Sequence, residues 1–288
     1  MSIAQAEHAP GLRRLGFFAV AAVAALALAG CESVGSLGSR GAPTAKLSED
    51  CAAIQTNVAS LSEVIQRNPT DAQAYNTRGA AYARCGRYQE AIADFSQVVK
   101  IDPQHAPGYT NRGLAYRQIG RNDLALADFT RAIEVNPRHA PAYLARANLL
   151  RTQNQLDQAM DDLNNAIRLN PEQAQAFHAR GLIYQRNGDH AKAITDFDNA
   201  IDRDPFNAPP YQARGQSLTI VGKYDAAIED FNAALNINNE NADAWAGLGL
   251  AYERKGDKQK AAESYARALI VNPSNQFAKE GQSRVGRV

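Results

Sequence analysis

The feature that most constrains the fold of this chain is an internal repeat with a period of 34 residues. A period of this length is typical of units made of two helices, each with an apolar face that it cannot bury alone. Stacking such units produces one continuous core, so the pattern predicts an all-α solenoid. The period is marked by the prolines Pro69, Pro103, Pro137, Pro171 and Pro205 and is continued by Asn239 and Pro273.

Each unit contains two amphipathic stretches of helical periodicity. In the first stretch Tyr75, Gly79 and Tyr82 follow the spacing i, i+4, i+7, which places them on one face of a helix. Their equivalents recur in the five later units. The second stretch has the same spacing and predicts a helix that packs against the first. Its central residues are Phe95, Phe129, Leu163, Phe197, Phe231 and Tyr265.

Glycine or asparagine stands between the two stretches of every unit. Both residues tolerate the left-handed backbone that ends many helices, so each marks a helix end followed by a turn. The prolines close the second helix, because the residue before a proline disfavours the helical conformation. The turn residues are Gly86, Gly120, Asn154, Gly188, Gly222 and Gly256.

With these residues, the chain resembles tetratricopeptide repeat (TPR) proteins over residues 72–275, in six copies. The resemblance implies an α-solenoid with an open concave groove that binds other proteins. Residues 48–71 are predicted to form an N-terminal half-repeat, in which Glu49–Arg67 is a single helix. Residues 276–288 are predicted to form a short C-terminal cap.

The chain departs from the family pattern at one position of the first helix, where arginine replaces the usual leucine in five units. The sixth unit keeps Leu248 and has Ser264 where the other second helices carry aspartate. The two positions lie level across the hairpin, so we predict five ion pairs. A ladder of anion-binding arginines is the alternative. The predicted pairs are Arg78 with Asp94, Arg112 with Asp128, Arg146 with Asp162, Arg180 with Asp196 and Arg214 with Asp230.

Two of the three cysteines are predicted to meet at the N-terminal end of the repeats. Cys51 and Cys85 are almost level across the hairpin formed by the half-repeat helix and the first helix of unit one. An oxidising compartment favours a disulfide between them. Two buried thiols that merely pack together are the alternative.

The first 30 residues have the composition of a secretory signal peptide. Arg13 and Arg14 precede an uncharged apolar run that ends in Leu28-Ala29-Gly30-Cys31. The last four residues resemble the lipobox of bacterial lipoproteins, which implies a covalent lipid on Cys31. An uncleaved anchor helix and a signal cut without lipid are the alternatives.

Residues 31–47 follow as a predicted anchor and tether, rich in Gly and Ser. By analogy with lipoprotein sorting, Glu32 favours the periplasmic face of the outer membrane over the inner membrane. The chain has a net charge of +1, and the signal peptide carries two arginines and one glutamate, so the remainder is neutral. Neutrality gives no indication of nucleic-acid binding, and membrane attachment is assigned to the lipid.

No catalytic motif is present in the sequence. It contains no Gly-rich phosphate loop, no His-Glu-x-x-His and no Gly-x-Ser-x-Gly, so we expect no enzyme activity and no cofactor beyond the lipid. His105 and His139 share one position between units and are interpreted as exposed loop residues. No metal site is expected.

The groove is predicted from the family's peptide-lining positions on the first helices. A polar lining with small leucine patches and a mild basic excess suits an extended peptide that bears a carboxylate. Solvated residues without a ligand are the alternative for part of the set. The predicted groove residues are Asn76, Arg84, Thr110, Leu114, Arg117, Asn148, Arg151, His178, Leu182, Arg186, Gln212, Gln216, Leu250 and Arg254.

Two functions fit these expectations. The first is a membrane-anchored scaffold that binds envelope proteins through extended peptide segments. The second is a structural subunit that assists the assembly of a pilus secretin or the insertion of β-barrels, as some TPR lipoproteins do. The sequence does not predict the oligomeric state.

Overall fold

A computed structural model describes residues 43–286 of the chain. Fourteen helices, and no strand, occur in this part. The predicted signal peptide, the lipid site Cys31 and residues 31–42 of the predicted tether lie outside the described residues. The α-solenoid of six helical hairpins, preceded by one helix and closed by a short one, is the predicted fold.

The first helix begins earlier than the sequence analysis predicts. Helix α1 spans Pro43–Arg67, so residues 43–47 belong to it and not to the tether. Proline is favoured in the first turn of a helix, where its missing N–H costs nothing. Ala45, Lys46 and Leu47 are good helix formers, and these preferences outweigh the Gly- and Ser-rich composition of the preceding residues.

The six units follow as pairs of helices, each pair in direct contact. The first helices of the units are α2 (Ala72–Arg84), α4 (Ala106–Gln118), α6 (Ala140–Thr152), α8 (Ala174–Arg186), α10 (Ala208–Ile220) and α12 (Ala242–Lys255). The second helices are α3 (Tyr88–Ile101), α5 (Asn122–Val135), α7 (Leu156–Leu169), α9 (His190–Arg203), α11 (Tyr224–Ile237) and α13 (Lys258–Val271).

The core runs between the two helices of each unit and on to the next unit. In unit one Ala91, Phe95 and Val98 are completely buried on α3. The Phe95 ring packs against the α-carbon of Gly79 so closely that a Cβ there would lie 2.8 Å from the ring. The small residue on the first helix therefore makes room for the aromatic ring of the second.

The turn inside each unit has the predicted left-handed residue. The φ angles are +76° at Gly120 and +62° at Asn154, the non-glycine member of the series. Asparagine adopts this conformation more readily than other residues with a Cβ, so the turn of unit three keeps the same geometry as the rest.

The C-terminal end is covered by α14 (Gln276–Val285). Ala278 and Val285 pack against Tyr265 of the last unit, whose hydroxyl donates a hydrogen bond to Glu253 at 2.6 Å. Arg284 of α14 donates to the same carboxylate at 2.8 Å, so the cap is held by polar as well as apolar contacts. Across residues 43–286, no helix is both long enough and apolar enough to cross a membrane.

Candidate functional site

The arginines that replace leucine each bind the aspartate of their own unit through two hydrogen bonds. In unit two Arg112 donates from Nε and Nη2 to the two carboxylate oxygens of Asp128, both at 2.8 Å. The same two-point geometry, at 2.7 or 2.8 Å, occurs in the pairs Arg78–Asp94, Arg146–Asp162, Arg180–Asp196 and Arg214–Asp230. Pairing with Asp128 raises the pKa of Arg112 and keeps it charged.

The remaining amino group of each arginine reaches the preceding unit. Arg112 Nη1 donates to the hydroxyl of Ser96 at 3.3 Å, and Arg78 donates to Ser62 of α1 at 2.9 Å. This second contact was not predicted from the sequence, although the partner always stands 16 residues before the arginine. The later partners are Thr130 for Arg146, Asn164 for Arg180 and Asp198 for Arg214. The arginines thus join neighbouring units and are occupied, which argues against an anion-binding ladder.

A disulfide joins Cys51 of α1 to Cys85 at the end of α2, with the two Cα atoms 5.6 Å apart. The bond fixes the half-repeat helix to the first unit. Together with the hydrogen bond between Arg78 and Ser62, it determines how α1 packs on the N-terminal end of the solenoid.

A cleft with a volume of about 330 Å³ opens on the first helices of units two and three. We call it the α4–α6 cleft. It contains four residues of the predicted groove, Thr110, Leu114, Arg117 and Asn148, together with Leu144. The structure adds residues that the predicted set does not contain, namely Pro107, Asn111, His139, Pro141, Ala145 and Gln173.

Arg117 contributes the positive charge of the α4–α6 cleft. Its side chain is partly buried, and it forms no ion pair with any residue that the structure describes. Burial lowers the pKa of Arg117, with no carboxylate to oppose the shift. A desolvated guanidinium without a counter-ion has a strong capacity to bind an anion.

His139 and Gln173 form the opposite end of the cleft, at the starts of α6 and α8. Our interpretation of His139 as an exposed loop residue is wrong: the ring is partly buried, and burial together with His105 lowers the pKa of His139, which keeps it neutral. His105 is also partly buried, and its Nδ1 accepts a hydrogen bond from the N–H of Gly108 at 2.9 Å. Such contacts at helix starts were not visible in the spacing of the histidines.

Two polar atoms at this end of the cleft lack a partner. Nε2 of His139 and Oε1 of Gln173 are buried without a hydrogen bond to any of residues 43–286. Buried polar atoms without partners are rare, and each calls for an explanation. Both belong to residues at helix starts that do not cap their helices, whereas Asp71, His105 and Asn241 do so at equivalent positions.

His178 lies in the next unit along the groove. It is largely enclosed, its ring centre is 5.9 Å from that of Phe197, and burial together with the charge of Arg151 lowers the pKa of His178 to about 4. His178 is therefore neutral at pH 7.

The other predicted groove residues do not line the α4–α6 cleft. Asn76 accepts a hydrogen bond from Asn111 at 3.0 Å, and Gln212 accepts one from Asn241 at 2.6 Å, so both carry contacts between units. Leu182 packs beside the Phe197 core, and Leu250 is partly buried on α12. Arg84, Arg186, Gln216 and Arg254 are exposed to solvent.

Within the described part of the chain, no group of three or more His, Cys, Asp or Glu side chains has the geometry to hold a metal ion. The site is therefore built from one free cation, several neutral polar groups and a few apolar side chains. This arrangement suits recognition of a ligand.

Sequence models described as tetratricopeptide repeat or TPR repeat match most of the chain. They cover residues 72–105, 106–139, 129–161, 147–188, 174–207, 215–256 and 242–275. The chain belongs to the tetratricopeptide repeat family. TPR proteins are protein-protein interaction scaffolds, and the family models that match describe no enzyme. No match is found among curated protein sequences.

Many solved TPR structures share this fold. One is the Cut9–Hcn1 hetero-tetramer of the APC/C, with a TM-score of 0.70, 20% identity and coverage of 83% of this chain. This chain spans 48% of that one, about half of its length. A second is PilF of Pseudomonas aeruginosa, with a TM-score of 0.69, 18% identity and coverage of 76% of this chain and 99% of that chain. A third is the type IV pilus biogenesis factor PilW, with a TM-score of 0.64, 18% identity and coverage of 73% of this chain and 97% of that chain. Identities this low establish a common fold.

Proposed function

We propose that this TPR protein is a lipid-anchored adaptor that holds extended segments of other envelope proteins in the groove of its solenoid. The observation that carries the proposal is the α4–α6 cleft, where Arg117, Asn148 and Leu144 line one open depression. A backbone in extended conformation exposes N–H and C=O groups that side-chain amides bind, while apolar side chains fill small pockets.

The lining of the α4–α6 cleft agrees with an adaptor. The cleft has one cation, neutral polar side chains and a few apolar side chains, a set that can orient a ligand. A solenoid of stacked units also presents several first helices side by side, and this suits partners that bind as extended chains.

The sequence before the described residues supports attachment to a membrane. Leu28-Ala29-Gly30-Cys31 has the features of a lipobox, and several acyl chains on one residue anchor a protein durably, because each buried methylene adds about 0.8 kcal/mol. We place the protein on the periplasmic face of the outer membrane, because Glu32 follows the cysteine. The inner membrane is the less favoured location.

A structural assembly subunit is the second candidate. The fold shared with PilF and with the pilus biogenesis factor PilW, of whose lengths this chain covers almost all, favours it. The groove would then hold one segment of a membrane complex, whereas an adaptor holds segments of several soluble proteins.

Affinity capture tests the proposed function and separates the two candidates. The full chain, purified in detergent, is exposed to an extract of its own cell envelope, beside an Arg117→Glu variant. Arg267→Glu is the matched control, since Arg267 is exposed on α13, away from the cleft. We expect the wild type and the control to recover the same proteins and Arg117→Glu to lose them. Equal recovery by all three contradicts the proposal.

The identity of the recovered proteins separates the two candidates. Recovery of several soluble proteins indicates an adaptor, and recovery of one integral membrane complex indicates an assembly subunit.

The anchor is tested separately with Cys31→Ala. Cells fed labelled palmitate are expected to label the wild-type chain and not the variant, and the variant is expected to leave the membrane fraction. A labelled variant, or an unlabelled wild type, contradicts lipidation at Cys31.

A further inference from the structure

The turns inside units four, five and six lie next to one another at one edge of the solenoid, where each first helix ends and each second helix begins. We call this surface the turn edge and define it as residues 184–193, 218–227 and 252–261. Gly222, with a φ angle of +80°, forms the tip of the middle turn. The turn edge is separate from the α4–α6 cleft, which lies in units two and three.

Two large apolar side chains are exposed beside this tip. Ile220 is 51% exposed and Val221 is 45% exposed. Scattered apolar side chains are ordinary on a protein surface, so the pair alone identifies no partner. The residues around it are polar or charged. The equivalent positions hold Arg186 and Asn187 in unit four and Arg254 and Lys255 in unit six.

The turn edge has an excess of positive charge that its own carboxylates do not neutralise. Each of its carboxylates already forms an ion pair, namely Asp189 with Lys192, Asp225 with Lys255, Glu253 with Arg284 and Asp257 with Lys260. Four exposed cations form no ion pair among residues 43–286. They are Arg186, Lys223, Arg254 and Lys258. The apolar tip of unit five is therefore flanked by free cations.

The opposite edge of the same units has the other sign. Asp202, Asp204 and Glu240 lie in or beside the loops between units and form no ion pair within the described part of the chain. Arg203 lies among them and stacks over the ring of Phe177 at 4.4 Å. The chain after the predicted signal peptide is neutral overall, but in units four to six its charge is separated between two edges.

The predicted lipid anchor is tied to a turn of the same kind. Cys85 has in unit one the position that Val221 has in unit five, and a disulfide joins it to Cys51. Cys31 precedes Cys51 by 20 residues, a stretch that reaches at most about 70 Å. Neighbouring helices pack about 10 Å apart, so unit five lies roughly 40 Å from unit one, within this reach.

We infer that the turn edge docks on the anionic phospholipid surface that carries the anchor. The four free cations lie over headgroup phosphates, and Ile220 and Val221 insert between them. The inference rests on the lipid anchor of the proposed function. Cations are attracted to an anionic bilayer, and an anchored chain meets it at a high effective concentration, so a weak contact is sufficient. Docking directs the opposite, acidic edge away from the bilayer.

Tryptophan quenching in vesicles tests the inference. The lipidated chain is reconstituted into vesicles of phosphatidylethanolamine and phosphatidylglycerol in equal parts, with brominated acyl chains. Trp245→Phe removes the single tryptophan, and either Val221→Trp or Phe206→Trp is then added. Phe206 is the matched control, because it is 85% exposed at the opposite end of α10, roughly 20 Å from Val221. Flotation of the vesicles shows that each protein is anchored.

We expect brominated lipid to quench the fluorescence of Val221→Trp and to leave that of Phe206→Trp unchanged. Vesicles of brominated phosphatidylcholine, which carry no net charge, are expected to quench Val221→Trp much less. Adding Lys223→Gln with Arg254→Gln is expected to lower the ratio of docked to undocked protein about thirtyfold, the effect of two cations at an anionic surface. Lys100→Gln with Arg267→Gln removes the same charge from exposed positions outside the turn edge and is expected to leave the ratio unchanged.

Absence of quenching at Val221→Trp in an anchored chain overturns the inference, and so does equal quenching at the two positions. Quenching that is independent of lipid charge, or that Lys223→Gln with Arg254→Gln leaves unchanged, also overturns it. These results leave the proposed function intact, because flotation and the Arg117-dependent capture of envelope proteins are measured separately. A chain that does not float with the vesicles overturns the lipid anchor and the inference together.

Discussion

Gly113 and Phe129 are in such close contact that a Cβ at Gly113 would lie 2.6 Å from Cε1 of the ring. Unit three combines Ala147 with Leu163 at the same two positions, and both residues are completely buried. The smaller leucine leaves room for a methyl group that phenylalanine does not. Complementary side-chain sizes at these two positions therefore maintain the spacing between the two helices of a unit.

Gly113→Ala is expected to lower the free energy of unfolding by about 1–2 kcal/mol, because overpacking outweighs the better helix propensity of alanine. Combining it with Phe129→Leu, as in unit three, is expected to cost at least about 1 kcal/mol less than the sum of the single variants. Urea unfolding of the four proteins measures the coupling. Additive effects, or a more stable Gly113→Ala, contradict this packing.

Removal of one partner of an ion pair is expected to destabilise the fold. Asp128→Asn leaves Arg112 charged and mostly buried, which we expect to lower the free energy of unfolding by about 3 kcal/mol. The double variant Arg112→Leu with Asp128→Ser copies Leu248 and Ser264 of unit six and is expected to recover most of the loss. Denaturant midpoints measure these stabilities, and a double variant no more stable than Asp128→Asn contradicts the stated cost of leaving Arg112 without its carboxylate.

The disulfide is expected to stabilise the N-terminal end of the solenoid. Cys51 and Cys85 are 34 residues apart, and a loop of this size corresponds to about 3–4 kcal/mol in the chain-entropy account. Replacing both with serine is expected to speed amide hydrogen exchange in α1 and α2, while α12 and α13 keep their rates because each unit contacts only its neighbours. Unchanged exchange in α1, or free thiols at both positions in the wild type, contradicts the prediction.

Acid is expected to destabilise the fold through His178. The pKa of His178 is about 4 in the folded chain and near its ordinary value of 6.5 when unfolded, so the unfolded chain binds the extra proton between these values. Neutral His178 contributes fully to the free energy of unfolding above pH 6.5. This contribution is lost as the pH falls towards 4, which lowers the free energy of unfolding by up to about 3 kcal/mol. His178→Gln is expected to flatten the pH dependence of the urea midpoint in this window. A variant with the wild-type slope contradicts the assignment.

The sequence contained enough to predict the repeat architecture, because a fixed period aligns every unit. The level positions of Arg112 and Asp128 in a hairpin follow from that alignment. The second contact of Arg112, with Ser96, was equally regular, but it joins different units and needs the geometry between them. Helix α1 begins earlier than predicted, because the helix preferences of Pro43 and the residues after it outweigh the Gly- and Ser-rich composition of the preceding segment.

The candidate site was predicted in part. Arg117 and Leu114 were found from the family's groove positions on the first helices. His139 and Gln173 stand one residue before those helices, where such residues usually cap the backbone. Their positions alone do not tell a capping side chain from one that faces the cleft, because Asp71 and His105 at equivalent positions do cap.

Site-specific crosslinking measures most directly whether the concave cleft is the working surface. A photoreactive amino acid replaces Leu144 in the cleft or, as a control, the exposed Arg131 on α5. In cells, we expect adducts with envelope proteins from the Leu144 position, their loss when Arg117→Glu is added, and none from the Arg131 position. Equal adducts from both positions, or adducts at Leu144 that Arg117→Glu leaves unchanged, would contradict the account.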